Sequence, residues 1–444
     1  MNILFISLGC DKNLVDSEQM LGLLTQKGFT MTNDETQADV IVINTCCFIH
    51  DAKEESIQNI LEMAEYRKAG RCKALIVTGC LAQRYKQEII DEIEEVDAVV
   101  GTTAYDEIFD VIEKTLNGQK ELEIQDLGRL VQIDAKRVVT TGGHYAHLKI
   151  AEGCNKHCTY CIIPKIRGNY RSVPMENLLK EAQDLAEQGV KELILVAQET
   201  TLYGIDLYGK KSLHILLKKL CEIKGIRWIR VLYCYPEEIY DELIETIRDE
   251  KKICHYLDLP IQHASDRVLK KMGRRTSRAQ LIEIIGKLRK EIPDIALRTT
   301  LISGFPGETQ EDHEELMAFV DEMEFDRLGV FTYSQEEDTP AAMMDEQIDE
   351  EVKMDRQEEL MELQQEVSLD KNEEKIGQSM IAMVEGYLSD ENVYVARTYA
   401  DAPGIDGYLF IDTAETLMSG DFVRVKITGA LEYDLTGELE NEFA

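Results

Sequence analysis

Short apolar runs separated by amphipathic helical stretches fill the first three quarters of this 444-residue chain, and that alternation most restricts what it can fold into. Over residues 1–117 the runs are Asn2–Leu8, Val40–Asn44, Ala74–Thr78 and Ala98–Val100, with stretches such as Ser17–Lys27 and Ala52–Tyr66 between them. Strands alternating with helices predict a parallel α/β sheet. Gln119–Thr141 is more polar, breaks the period and reads as a connector. A second series follows, with candidate strands His147–Glu152, Glu192–Gln198, Trp228–Tyr233, Tyr256–Ile261, Ala296–Ile302 and Arg327–Tyr333. Helical patterns such as Met175–Gln188 and Arg278–Glu291 lie between them. Six β/α units predict a barrel or partial barrel, with its active site at the carboxyl ends of the strands. Glu346–Lys375 predicts one long charged helix, with Val352, Leu360, Leu363 and Val367 on one face, serving as a linker. From Ile376 short strands such as Tyr408–Ile411 and Asp421–Ile427, broken by Gly and Asp-Gly, predict a small β-barrel or sandwich.

Hydrophobic residues make up 44% and charged residues 30%, which excludes disorder as the global state. Lys and Arg number 49 against 84 Asp and Glu, a net charge of −35. A protein that wraps nucleic acid needs a basic face, so here any such face must be local. The acidity suits solubility or a basic protein partner. No run of about 18 apolar residues occurs, so no transmembrane helix is expected. The opening Met-Asn-Ile-Leu-Phe-Ile lacks the basic segment of a signal peptide and reads as a buried strand, which predicts a cytoplasmic protein. Eleven cysteines in a reducing compartment should not pair as disulfides, leaving metal ligation, redox chemistry or core packing to account for them.

The segment Gly153-Cys154-Asn155-Lys156-His157-Cys158-Thr159-Tyr160-Cys161 directly follows the first barrel strand. Three thiolates so spaced can converge on one small centre from a loop. Tetrahedral zinc wants a fourth ligand, which His157 could supply from inside the loop. A four-iron cluster held by three thiolates leaves one iron open to an exogenous ligand. Three unrelated core cysteines are the plain alternative. In the first domain Cys10, Cys46 and Cys80 each terminate an apolar strand, and in a parallel sheet all three fall at the carboxyl edge, where ligands bind. They could hold a second cluster there, or each be an ordinary buried cysteine. Cys47 competes with Cys46. Cys72, Cys221, Cys234 and Cys254 show no such pattern and read as structural.

Cys154, Cys158 and Cys161, with Tyr160 before the last, resemble the three-cysteine motif of the radical S-adenosylmethionine enzymes, and Ile162-Ile163-Pro164-Lys165-Ile166-Arg167-Gly168 resembles their methylthiotransferase branch. Gly9-Cys10-Asp11-Lys12-Asn13-Leu14-Val15-Asp16-Ser17-Glu18 is similar to the group in that branch that modifies a ribosomal protein rather than transfer RNA. Further likeness runs through Asp258–Ser265, Met272–Thr276, Tyr333–Pro340 and Leu431–Gly437. The resemblance implies an N-terminal parallel α/β cluster domain (1–117), a connector (118–139), a radical S-adenosylmethionine partial (β/α)6 barrel with a linker helix (140–371), and a small antiparallel β-barrel, the TRAM domain (373–444). It implies two [4Fe-4S] clusters, one on Cys10, Cys46 and Cys80, favouring Cys46 over Cys47, and one on Cys154, Cys158 and Cys161 that binds S-adenosylmethionine. Gln198, Glu199 and Gly304 are the implied cofactor contacts, with Arg298 for a carboxylate of the cofactor or of the substrate.

The activity so implied is addition of a methylthio group to the β-carbon of an aspartate in small-subunit ribosomal protein twelve. One S-adenosylmethionine donates methyl and another is the radical source, and an electron donor and a sulfur donor are required. A transfer RNA adenosine methylthiotransferase and a non-catalytic iron–sulfur protein are the alternatives. From Ile376 to Ala444 three basic residues face thirteen acidic ones, a net of −10. Such a domain is a poor phosphate binder and a good complement to a basic ribosomal protein, with Asp401, Asp406, Asp412 and Glu415 as docking charges, so nucleic acid is not the expected substrate. A solvated acidic face without a partner is the plain alternative.

Overall fold

The first strands, Asn2–Ser7 (β1), Thr30–Thr32 (β2), Val40–Thr45 (β3), Ala74–Gly79 (β4), Ala98–Val100 (β5) and Glu121–Glu123 (β6), form one six-stranded sheet in the order β2-β1-β3-β4-β5-β6. All its pairs are parallel. This computed structural model describes residues 1–69, 71–131 and 133–440. β3 and β4 are buried along their whole length, because helices cover both faces of the sheet. Met20 and Leu24 of the helix Asp11–Gln26 join Ile108, Val111 and Ile112 on one face, and Ile60 and Ala64 join Leu81 on the other. β2 and β6 escape the sequence reading, since neither Thr-Met-Thr nor Glu-Leu-Glu is an apolar run, unlike the equally short β5, and they gain their place only by pairing at the two edges. β6 lies in the stretch read as connector.

The second sheet takes Tyr145–Lys149 (β7), then, after a short hairpin of Ala151–Glu152 (β8) and Arg171–Ser172 (β9), Glu192–Val196 (β10), Trp228–Val231 (β11), Ile253–Asp258 (β12), Ala296–Ser303 (β13) and Arg327–Thr332 (β14). Its order, β14-β13-β12-β11-β10-β7, has two free ends, so the barrel is partial. Alternation sorts the side chains. Leu193, Leu195, Ile229, Leu257 and Leu301 meet the outer helices in the largest core, while Ile194, Val196, Trp228, Tyr256 and Ala296 turn to the concave side.

The helix Glu350–Glu373 does more than link. It packs along β14, with Leu360 and Val367 buried but Val352 exposed. Its buried face also carries polar groups: Gln357 Nε2 donates to the Val330 carbonyl at 2.6 Å and Gln364 Nε2 to the Phe325 carbonyl at 2.8 Å.

Ser379–Leu388 (β15), Val393–Thr398 (β16), Leu409–Asp412 (β17), Phe422–Ala430 (β18) and Leu435–Leu439 (β19) close into a barrel in the order β15-β16-β17-β19-β18. Only β17 and β19 pair in parallel. This barrel sits against the amino end of the half-barrel's concave face. Met383, Ala400 and Ala402 complete the apolar cluster there. Around them Glu192 pairs with Arg230 (2.8 Å) and Arg397 (2.7 Å), and Arg327 with Asp401 (2.6 Å). Arg298 pairs with Asp258 (2.9 Å) and Asp406 (3.3 Å), and the Tyr256 hydroxyl donates to Asp406. Two readings are corrected by this. Asp401 and Asp406 are not docking charges on a surface but partners of barrel arginines inside the molecule, whereas Asp412 and Glu415 are exposed. Composition shows how many carboxylates a domain has, not which of them meet a cation on another domain.

Candidate active site

The register of the first sheet brings its cysteines together. Ser7 pairs beside Asn44, and Asn44 beside Thr78, so β1, β3 and β4 stop in line and Cys10, Cys46 and Cys80 follow within a few residues. Two glycines let them crowd. At Gly9, with φ of +88°, an added Cβ would lie 2.7 Å from the Cys46 Cβ and 3.0 Å from its sulfur. At Gly79, with φ of +93°, it would lie 2.2 Å from the Asn44 side chain. Only glycine adopts that backbone without strain and leaves that space. Ser56 Oγ accepts from the Cys46 amide and donates to its carbonyl, and Asn13 Nδ2 donates to the Leu8 and Thr45 carbonyls. Cys47 is fully buried in the apolar core, where burial pushes its thiol up to about 12.

The second triad hangs from the carboxyl end of β7. The loop is fixed by main-chain bonds: Cys154 N–H to Gly168, Thr159 N–H to Met272, and Ala341 N–H to Thr159. Cys154 Sγ accepts from the Lys156 amide at 3.4 Å, and Cys158 Sγ lies 3.6 Å from the Tyr235 hydroxyl. Arg274 stacks over the Tyr235 ring, 4.2 Å from its centroid. Burial pushes Cys154 up to about 11, the Lys156 amide easing it, and raises Cys161 as well. His157 is exposed and holds a left-handed φ of +53°.

Arg167 reaches from the barrel domain to the first triad. It ends the short helix Ile163–Arg167, whose Ile166 inserts with Ile162 into the core of the N-terminal domain. Its Nε and Nη2 donate to Cys80 Sγ at 3.4 and 3.3 Å, and its Nη1 pairs with Asp16 (2.8 Å) and Glu152 (3.2 Å). Lys149 bonds the same two carboxylates. None of Arg167, Asp16, Lys149 or Glu152 was readable as part of a site. Each reads as an isolated charge in the sequence, and the docking of two domains brings Asp16 to Lys149 and Arg167, which already pair with Glu152 within the barrel domain.

The remaining candidates divide. Gln198 Nε2 donates to Glu152 at 2.7 Å, while its Oε1 is buried without a partner among the described residues. Glu199 is wholly buried, accepts from the Thr201 amide and hydroxyl through Oε1, and leaves Oε2 unpartnered. Burial pushes its carboxyl up to about 7, and its charge acts on Cys154. Gly304 faces the other way, since a Cβ there would lie 2.2 Å from Lys353 Cγ, so its smallness serves the contact with the helix Glu350–Glu373. Arg298 is committed to Asp258 and Asp406.

Among the described residues no three His, Cys, Asp or Glu groups converge as ligands of one metal ion would. Three thiolates would hold a four-iron cluster with one iron left open, and the unpartnered acceptors of Gln198 and of Glu199, whose charge acts on Cys154, suit a ligand bearing donors.

Comparison with known proteins adds to this geometry. The family model described as "Uncharacterized protein family UPF0004" matches residues 2–101, that of the radical SAM superfamily residues 148–320, and that of the TRAM domain residues 376–439. The chain is 64% identical, over 99% of its length and 100% of the relative's, to the ribosomal protein uS12 methylthiotransferase RimO of Lachnoclostridium phytofermentans. The chain belongs to the RimO family. A RimO of Clostridioides difficile is 49% identical over the full length of both chains. Across this RimO-family chain the two triads fall in separately matched segments, Cys10, Cys46 and Cys80 in the first and Cys154, Cys158 and Cys161 in the second. Among solved structures, the radical S-adenosylmethionine methyltransferase TsrM of Kitasatospora setae, with cobalamin and a [4Fe-4S] cluster bound, superposes with a TM-score of 0.56. That match covers 77% of this chain and 74% of TsrM at 12% identity, a likeness of fold alone.

Proposed function

We propose that this chain is a radical S-adenosylmethionine methylthiotransferase that adds a methylthio group to the β-carbon of an aspartate in ribosomal protein uS12. The observation that carries the reading is two thiol triads on two domains docked through one buried arginine of the barrel, which meets Cys80 and Asp16 of the first domain, in a chain of RimO sequence over its full length. Cys10, Cys46 and Cys80 would hold one [4Fe-4S] cluster, and Cys154, Cys158 and Cys161 the other, each with one iron open. When bound, the clusters and S-adenosylmethionine supply the electron, the methyl group and the carbon radical. The chain's own residues bind, orient and exclude water. Gln198 Oε1 and Glu199 Oε2 offer unpartnered acceptors to an amino group. Tyr235 and Arg274 wall the loop around Cys158. The Asp16, Lys149, Glu152 and Arg167 network holds the two domains together so that both triads serve one enclosed space.

The added sulfur and the reducing electron come from donors outside the chain. The domains are assigned as 1–117, 140–371 and 373–444, with 118–139 between the first two. The enzyme works in the cytoplasm, where its ribosomal substrate is made. Among the described residues no helix is long and apolar enough to cross a membrane. The test incubates reconstituted, reduced protein with S-adenosylmethionine, sulfide and uS12, and reads uS12 by mass spectrometry. A methylthio adduct on one aspartate is expected. Unmodified uS12 beside methylthiolated transfer RNA overturns the assignment.

A further inference from the structure

We propose that Arg167 is a positioning residue that sets the reduction potential of the N-terminal cluster through two N–H···S hydrogen bonds to Cys80. The proposal rests on the reading of Cys80 as a cluster ligand. A guanidinium has five N–H donors in a fixed fork, and here all five have acceptors. Nε and one N–H of Nη2 meet Cys80 Sγ at 3.4 and 3.3 Å, and the other N–H of Nη2 meets Asn13 Oδ1. The two N–H groups of Nη1 meet Asp16 (2.8 Å) and Glu152 (3.2 Å).

The surrounding charge is already balanced, with Arg167 and Lys149 against Asp16 and Glu152. The influence on the sulfur is therefore directional hydrogen bonding more than net charge. Reducing a cluster adds electron density to its ligating sulfurs. Donors aimed at those sulfurs favour the reduced form and raise the potential, as outer-shell bonds do for metal ligands generally. The donor comes from the barrel and the acceptor from the N-terminal domain, so the barrel domain sets the electronics of the N-terminal site.

The experiment uses full-length protein carrying Cys154→Ala, Cys158→Ala and Cys161→Ala, which leaves one cluster, and follows its midpoint potential by an EPR-monitored redox titration. Arg167→Gln is expected to keep about four irons per chain. It should make reduction at least tenfold less favourable, 59 mV lower for a one-electron couple. Arg167→Lys, which keeps the charge but not the fork, should fall between the two. Asp16→Asn breaks the same cross-domain pair without touching sulfur and should not lower the potential. An Arg167→Gln potential equal to that of the parent overturns the proposal, as does Asp16→Asn reproducing its fall. If Arg167→Gln fails to fold, an Arg167→Lys potential equal to the parent's overturns it. If Cys80→Ala keeps its full iron, the ligand reading fails instead, and iron analysis separates the two outcomes.

Discussion

The two ends of the half-barrel handle buried polarity in opposite ways. At the amino end Glu192, Arg230, Arg298, Arg327, Arg397, Asp401 and Asp406 are shut in by the TRAM domain, and none has a buried side-chain nitrogen or oxygen without a partner. At the carboxyl end Gln198 Oε1, Glu199 Oε2, Tyr170 Oη and Arg274 Nε and Nη1 are buried and unpartnered among the described residues. An unsatisfied buried polar atom costs about 1–3 kcal/mol. One end of the sheet is finished by the chain itself, and the other is finished by what it binds. The same six strands supply both, because parallel strands send all their carboxyl ends to one side.

The largest effect expected from breaking this contrast is at the open end. Changing Cys154, Cys158 and Cys161 together to Ala should abolish deoxyadenosine formation and halve the iron from about eight to about four per chain. Iron content unchanged in that variant removes the open end's role as a cofactor site. At the sealed end, Glu192→Ala leaves Arg230 and Arg397 facing each other without their shared carboxylate. Stability should drop by about 3–5 kcal/mol, read by denaturant unfolding, with faster proteolytic release of the TRAM domain.

The two ends should also respond to pH with opposite sign. Burial works against charge on Glu192 and Asp401, but Arg397 and Arg230 beside the first and Arg327 beside the second prevail and hold both carboxyls below their usual range. Their stabilisation is complete above the range where unfolded carboxylates titrate and is lost as pH falls through the lower folded values. Asp406, which burial holds above its usual value, offsets part of this. Glu199, pushed up from 4.5 to about 7 by burial, costs the fold stability as pH rises across that interval, by about 3 kcal/mol. Glu199→Gln should flatten that slope in pH-dependent unfolding, and a slope equal to wild type would place the titration elsewhere. The smallest effect belongs to the exposed acids. Asp412→Asn with Glu415→Gln should change stability by no more than about 0.5 kcal/mol, while reducing the salt sensitivity of uS12 binding in a titration at two ionic strengths.

What the sequence reveals follows from what is local. Apolar runs ending in Cys10, Cys46 and Cys80 mark three strands and their common edge, because a parallel sheet converts strand ends into neighbours without further information. The Cys154–Cys161 loop is legible for the same reason, as its members are adjacent in the chain. β2 and β6 are not, since their three residues alternate polar and apolar at an exposed edge and form no apolar run, as the equally short β5 does. Arg167, Asp16, Asp401 and Asp406 are not legible either. Each has a partner more than 70 positions away on another domain, and a charge in a sequence looks the same whether it meets water or another domain.

The helix along β14 has a consequence for how the chain keeps to itself. A free edge strand is a template on which a second copy can add its own strand, and proteins guard such edges. Here Gln357 occupies the Val330 carbonyl of β14 and Gln364 the Phe325 carbonyl just before the strand, so the guard is built from side chains of the segment leading to the TRAM domain. A chain shortened before Glu350 would lose its last domain and uncover that template in the same cut. Self-association through β14 is then the expected fate of the truncated product, and proteolysis in this region would yield aggregate rather than a soluble two-domain fragment.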